Sequence, residues 1–124
     1  MKVQLALGLA FGFGIGALHV LHAQTKPSLY YIAEVDVTDL NGYVEEFVPK
    51  AATTAETYGG HTLAAGQKVT AIEGMPPKNR VVVMRWDSIE QLRAWRDSAQ
   101  YKQDRKIGDK YAASVRAFAV EGLP

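Results

Sequence analysis

Alternation is the first order visible in this chain. From Leu29 to Val37 the residues read LYYIAEVDV, with Leu29, Tyr31, Ala33, Val35 and Val37 on one face and Tyr30, Ile32, Glu34 and Asp36 on the other. A period of 2 in a stretch rich in Tyr, Ile and Val predicts a strand. Thr38-Asp39 stops it, and Asp39 suits a helix N-cap. Leu40, Tyr43, Phe47, Ala51, Thr54 and Tyr58 then recur at spacings of three and four. That pattern predicts an amphipathic helix, kinked at Pro49 and ended by Gly59-Gly60.

His61 to Glu73 reads as a second strand region, with a bulge or tight bend expected at Gly66. Gly74 to Asn79 is rich in turn formers, and Arg80 to Asp87 returns to period 2 as a third strand. Ser88 followed by Gln91 forms a capping box, opening a helix with Ile89, Leu92 and Trp95 inward. Asp97-Ser98 breaks that helix. Ser98 caps a further helical segment with Tyr101, Ile107 and Tyr111 on its apolar side. Ser114 to Glu121 is the last strand.

The order β-α-β-β-α-β predicts an α+β fold of the ferredoxin-like kind: an antiparallel four-stranded sheet, order 4-1-3-2, with the helices on one face. Tyr30, Ile32, Val81 and Val83 then face away from the helices. An apolar sheet face without cover marks an interface. Two such sheets packed together make a dimeric α/β barrel, so a homodimer is expected.

Size and charge narrow the picture. With 124 residues, 48% hydrophobic and 22% charged, the chain suits one domain. Lys2 is the only charge before Gln24, leaving 13 basic against 13 acidic residues after it. That balance gives no reason to expect nucleic acid or an anionic membrane as partner. There is no Cys, so disulfides and thiol chemistry are excluded.

Met1 to Ala23 carries a basic start, an apolar run of about 14 residues and a small residue at its end, the marks of a secretory signal peptide. A spanning helix needs ~20 residues. Cleavage after Ala23 is expected, with a linker from Gln24 to Ser28, a folded domain from Leu29 to Gly122, and a periplasmic or secreted location. The alternative is an uncleaved segment anchoring the domain to the inner membrane.

Several short motifs carry a family resemblance: YIAEVDV at Tyr31 to Val37, YGGH at Tyr58 to His61, Glu73-Gly74, RVVV at Arg80 to Val83, SAQYK at Ser98 to Lys102, and Val120-Glu121-Gly122. In this order they resemble the family catalogued as domain of unknown function 1330, over Leu29 to Gly122. Where that family usually has Arg after the Gly-Gly pair, this chain has His61. The resemblance implies ferredoxin-like subunits joined through their sheets. It implies no particular activity, since the wider dimeric α/β-barrel group holds cofactor-free oxygenases, haem enzymes and plain binding proteins, and a fold does not choose among them.

Candidate chemistry rests on few residues. Glu34, Arg85 and Arg116 are charges within apolar strands, and they can form either a ligand site inside the barrel or a structural ion pair. His61, the one His after the leader, can act as a base or a haem ligand, or sit as an exposed polar residue at a helix-to-strand junction. Tyr43, with Tyr30, Tyr31, Tyr58, Tyr101, Tyr111, Trp86 and Trp95, can line an aromatic pocket between helices and sheet or serve as core. Lys102, Lys106 and Lys110 read as a solvated helix face. One His and no Cys cannot make a usual zinc site. With no cofactor motif in the chain, no cofactor is expected. The function expected is binding of a small molecule by an exported homodimer; the alternative is a cofactor-independent enzyme, monooxygenase- or isomerase-like, working in a barrel pocket.

Overall fold

The computed structural model describes residues 26–124. The expected leader, its cleavage point and the start of the linker lie outside these residues. Strand β1 (Leu29–Val37) is followed by a composite helix α1, made of an α-helical turn Leu40–Gly42, a π-helical turn Tyr43–Phe47 and an α-helix Val48–Thr57. Then come β2 (His61–Gly66), β3 (Arg80–Trp86), α2 (Ile89–Asp97), α3 (Ala99–Gly108) and β4 (Ala112–Glu121). The four strands form one antiparallel sheet in the order β2-β3-β1-β4, the ferredoxin-like arrangement expected.

The alternation along β1 sets the layers. Leu29, Tyr31, Ala33, Val35 and Val37 are buried beneath the helices, joined by Met84 and Trp86 from β3, Phe47 from α1, and Leu92, Trp95 and Tyr101 from α2 and α3. Trp95 is the hub of this core. Its ring lies 5.3 Å from Trp86, 4.4 Å from Tyr101 and 5.9 Å, edge-on, from Tyr31. Its Nε1 donates to Thr54 Oγ1 of α1 at 3.2 Å, so one indole ties α2 to both α1 and the sheet.

Local signals act largely as expected. Asp39 and Ser98 cap their helices, accepting from the N–H groups of Gly42 and Tyr101. At Pro49 the missing donor is absorbed as a π-helical turn just before it, in which the Val48 N–H reaches back to the Tyr43 carbonyl. α1 closes with paired bonds, Gly60 N–H to Ala55 C=O at 2.9 Å and Gly59 N–H to Glu56 C=O at 3.0 Å, with Gly59 at φ 96°. The ends of the expected apolar stripe, Leu40 and Tyr58, stay exposed.

Two expectations need correction. β2 stops at Gly66 instead of running to Glu73, and its irregularity falls between Thr62 and Ala64. The cause is the partner. β3 begins only at Arg80, after Pro76-Pro77, so β2 residues beyond Gly66 have no ladder to join. The capping box at α2 is half formed. Ser88 Oγ accepts from the Gln91 N–H at 3.2 Å, but Gln91 Oε1 is buried without a partner and the amide lies against Gly59.

The long connection from Gln67 to Asn79 is fastened where it rejoins the sheet. Val37 N–H donates to Asn79 Oδ1 at 2.8 Å, and Asn79 Nδ2 donates to the Val37 carbonyl at 2.9 Å. This amide fork occupies the point where the β1–β4 register shifts, between Asp36 and Val37.

Gly60 generates a stability prediction. A Cβ there would stand 2.5 Å from the Trp86 ring, which is 0% exposed and has no room to retreat. Gly60→Ala should lower stability by about 1–3 kcal/mol, the usual range for overpacking. Urea unfolding of the purified domain checks it; an unchanged midpoint would show that the ring can move aside.

Candidate functional site

The helices do not seal the sheet completely. A cavity of about 270 Å³ lies between α1, α3 and the inner face of the sheet. Small residues leave the space: Ala33 on β1, Ala51 and Ala52 on α1, and Ala65 on β2. Tyr31, Phe47, Met84, Trp95 and Tyr101 wall its depth, while the exposed residues Glu56, Thr62 and Ala65 place its mouth between α1 and the edge strand β2. Interiors of proteins rarely keep voids much larger than a water molecule. The π-helical turn supplies two of the walls, Tyr43 and Phe47, which touch at a ring separation of 5.0 Å.

The polar groups of the cavity are cations and phenols. Arg80, the first residue of β3, is 7% exposed and lies on the helix side, opposite Val35. Its guanidinium sits 5.8 Å from the centre of the Tyr43 ring, and its Nε has no hydrogen-bond partner. Burial pushes the Tyr43 hydroxyl up to about 12, against the opposing pull of Arg80, so Tyr43 stays protonated and can donate at neutral pH. Burial also raises Tyr31, whose hydroxyl accepts from Arg96 at 2.7 Å. Arg96 reaches the Tyr101 hydroxyl as well, at 3.3 Å. Arg105, on α3, lines the wall and is bound to Asp109 at 2.8 Å.

On the other side of the sheet lies the open face. Ile32, Val83 and Phe118 stand in one row across β1, β3 and β4, and Tyr30, Arg85 and Val120 in the next. Phe118 is 48% exposed and Val120 56%. Glu34 occupies the row of Val81 and Arg116. Its carboxylate is nearly covered. It pairs with the Arg116 guanidinium through one oxygen and accepts the Lys78 N–H through the other, at 3.2 Å. Arg116 itself is largely exposed and lies over the Phe118 ring at 5.7 Å.

The residues singled out in the sequence therefore separate into three places. Glu34 and Arg116 meet, as an ion pair. Arg85 is exposed and stands two rows away from Glu34, opposite His61 on β2, which is exposed too. Tyr43 belongs to the opposite layer and to the cavity. The aromatic pocket between helices and sheet exists, with Tyr31, Tyr43, Tyr101 and Trp95 in its walls. Arg80 was not among the candidates. Its signal was phase: Arg80, Val82, Met84 and Trp86 alternate together, so a charge in the core-facing set stood in plain view.

Residues 28–123 match the family model described as domain of unknown function DUF1330. The chain belongs to that family. Among curated proteins none matches. Solved structures share the fold of this DUF1330 domain at low identity. A protein of unknown function from Rhodopseudomonas palustris is 13% identical, with a TM-score of 0.66 over 84% of this chain and 92% of that one. SnoaB, a cofactor-independent oxygenase from Streptomyces nogalater, is 7% identical, with a TM-score of 0.58 over 79% and 95%. A candidate antibiotic biosynthesis monooxygenase from Caulobacter crescentus is 10% identical, with a TM-score of 0.58 over 81% and 93%.

The Glu34 pair gives a pH prediction. Its hydrogen bond from Arg116, then that from the Lys78 N–H, hold the carboxyl below its ordinary value of 4.5. A lowered folded-state value means the stabilisation is fully present above the unfolded value and is lost as pH falls through the folded one. Wild type should exceed Glu34→Gln in melting temperature at neutral pH, and the gap should shrink below about pH 4.5. Melting curves across pH 3 to 7 check this, and a gap that stays constant would count against the pair.

Proposed function

We propose that this DUF1330 protein binds a small, mostly apolar molecule in the cavity between helices and sheet, and that it does so as an exported homodimer. The observation that carries the reading is the cavity itself: about 270 Å³, walled by alanines and aromatic rings, with a mouth beside an edge strand. A site of this kind, apolar with a few convergent polar groups, is the usual form of a small-molecule pocket. Export rests on the leader-like sequence of Met1 to Ala23.

The homodimer is supported by the open face. Ile32, Val81, Val83, Phe118 and Val120 together make an apolar surface flanking the Glu34–Arg116 pair. Pairing with a second copy would cover it and bury the ion pair, removing apolar area from water at ~25 cal/mol per Å².

A second reading, a cofactor-independent enzyme, draws on the fold shared with SnoaB. The chemistry of the cavity favours binding over it. Proton abstraction needs a base within reach, and the phenol deepest in polar company, Tyr43, is held protonated. The carboxylate among the lining residues, Glu56, is exposed at the mouth.

Filling the space tests the site. Ala33→Leu places three more carbons into a void, so stability should hold to within about 1.5 kcal/mol. Titration calorimetry with 2-naphthalenemethanol should then show binding to wild type and at least a tenfold loss in the variant. Equal binding by both proteins would place the ligand elsewhere.

The dimer has its own test. At micromolar concentration the mature wild-type protein should sediment as a dimer, and Val83→Asp, which puts an unpaired charge into the joint, as a monomer. A wild-type monomer would end the dimer reading while leaving the cavity untouched.

A further inference from the structure

The cavity contains a charge that the protein leaves uncompensated. Arg80 is buried, stays cationic at any physiological pH, and keeps an Nε with no partner. The ion pairs among the described residues are Arg105 with Asp109 and Arg116 with Glu34; neither serves Arg80. The guanidinium lies over the face of the Tyr43 ring. A cation–π contact is worth about 0.5–2 kcal/mol, well short of what removing a guanidinium from water costs. A structural ion pair would normally bring its carboxylate. Here Arg80 lines the cavity instead.

Resting on the cavity as the binding site, we infer that its ligand is an apolar, ring-bearing carboxylate, with Arg80 as the counter-charge. The parts fit that chemistry. A guanidinium takes a carboxylate through two parallel N–H donors. With Nε shut off from open space, the two terminal nitrogens are the donors left for such a fork. Tyr43, protonated beside it, can add an O–H. Arg105 gives the wall a second positive group, already held by Asp109 and so suited to setting the potential more than to gripping. Ala33, Val35, Val82 and Met84 offer apolar contact to the remainder of the molecule. In volume the space exceeds the apolar cavity of about 150 Å³ that admits benzene, so one or two fused rings fit with the acid group. Glu56 at the mouth does not oppose this, because it is exposed to solvent screening while Arg80 is buried.

The test uses 2-naphthoate and 2-naphthalenemethanol, which differ in charge and little in shape, titrated into the mature protein at pH 7. Wild type should bind the carboxylate at least tenfold more tightly than the alcohol. Arg80→Met should erase that preference, leave the alcohol affinity within about threefold, and melt no lower than wild type, since replacing a buried unpaired cation by an apolar side chain of similar length is neutral or stabilising. If Arg80→Met does not fold, Arg80→Lys takes its place: it keeps the charge but loses the fork, and should weaken naphthoate several-fold and spare the alcohol. Equal affinity of wild type for the two probes would overturn the inference and leave the cavity reading standing. A preference for naphthoate that survives in both variants would also overturn it, by moving the counter-charge away from Arg80. Failure of both probes to bind, or binding that Ala33→Leu does not reduce, would remove the cavity reading and this inference with it.

Discussion

Strand β1 is hydrogen-bonded on both edges, to β3 along Leu29–Val35 and to β4 along its whole length. That double pairing is the constraint on which everything else depends. A strand fixed on two sides cannot slip by one residue without turning all its side chains over at once. Tyr31, Ala33 and Val35 are thereby committed to the cavity side, and Ile32 and Glu34 to the open side. The positions of Arg80 and Arg116 follow from the same register, because Val35 stands opposite Arg80 and Glu34 opposite Arg116. One set of backbone bonds separates two polar groups that differ in kind: a compensated pair on one face and a lone cation on the other.

The layer between helices and sheet has a cluster of aromatic contacts at its centre. Trp95 touches Trp86, Tyr101 and Tyr31, and Trp86 in turn fills the hollow left by Gly60. The small side chains of Ala33, Ala51, Ala52 and Ala65 leave the space where the cavity opens. The domain thus divides its labour spatially, with rigidity from the indoles and space from the alanines.

Much of this was legible in the sequence. Period-2 runs with their stops gave four strands in the right order, because Asp39, Ser88 and Ser98 are strong local signals and Gly59-Gly60 a clear end. What remained hidden depended on partners distant in the chain. The length of β2 is decided by where β3 begins, so its own residues past Gly66 misled. The Gln91 amide lies beside Gly59, from another helix end, and its half of the cap is not made. Glu34 and Arg116 were recognisable as unusual, whereas their pairing needed the register. Tyr43 could be placed between helices and sheet from its helical spacing, and there it stands. Arg80 was overlooked because it opened the strand, where a charge looks like a boundary residue. Only its phase relative to Trp86 told otherwise.

The π-helical turn at Tyr43–Phe47 has a consequence of its own. Such a turn amounts to one surplus residue inside an α-helix. Each residue of an α-helix advances the direction of its side chain by about 100°. Winding the same residues as a plain α-helix would rotate the segment ahead of the turn by that angle relative to Val48–Thr57. Tyr43 would leave the wall it shares with Arg80, while Ala51 and Ala55 kept their places on the sheet. The surplus residue, taken up as a wide turn, is therefore what keeps Tyr43 in the cavity wall while Val48–Thr57 stays on the core.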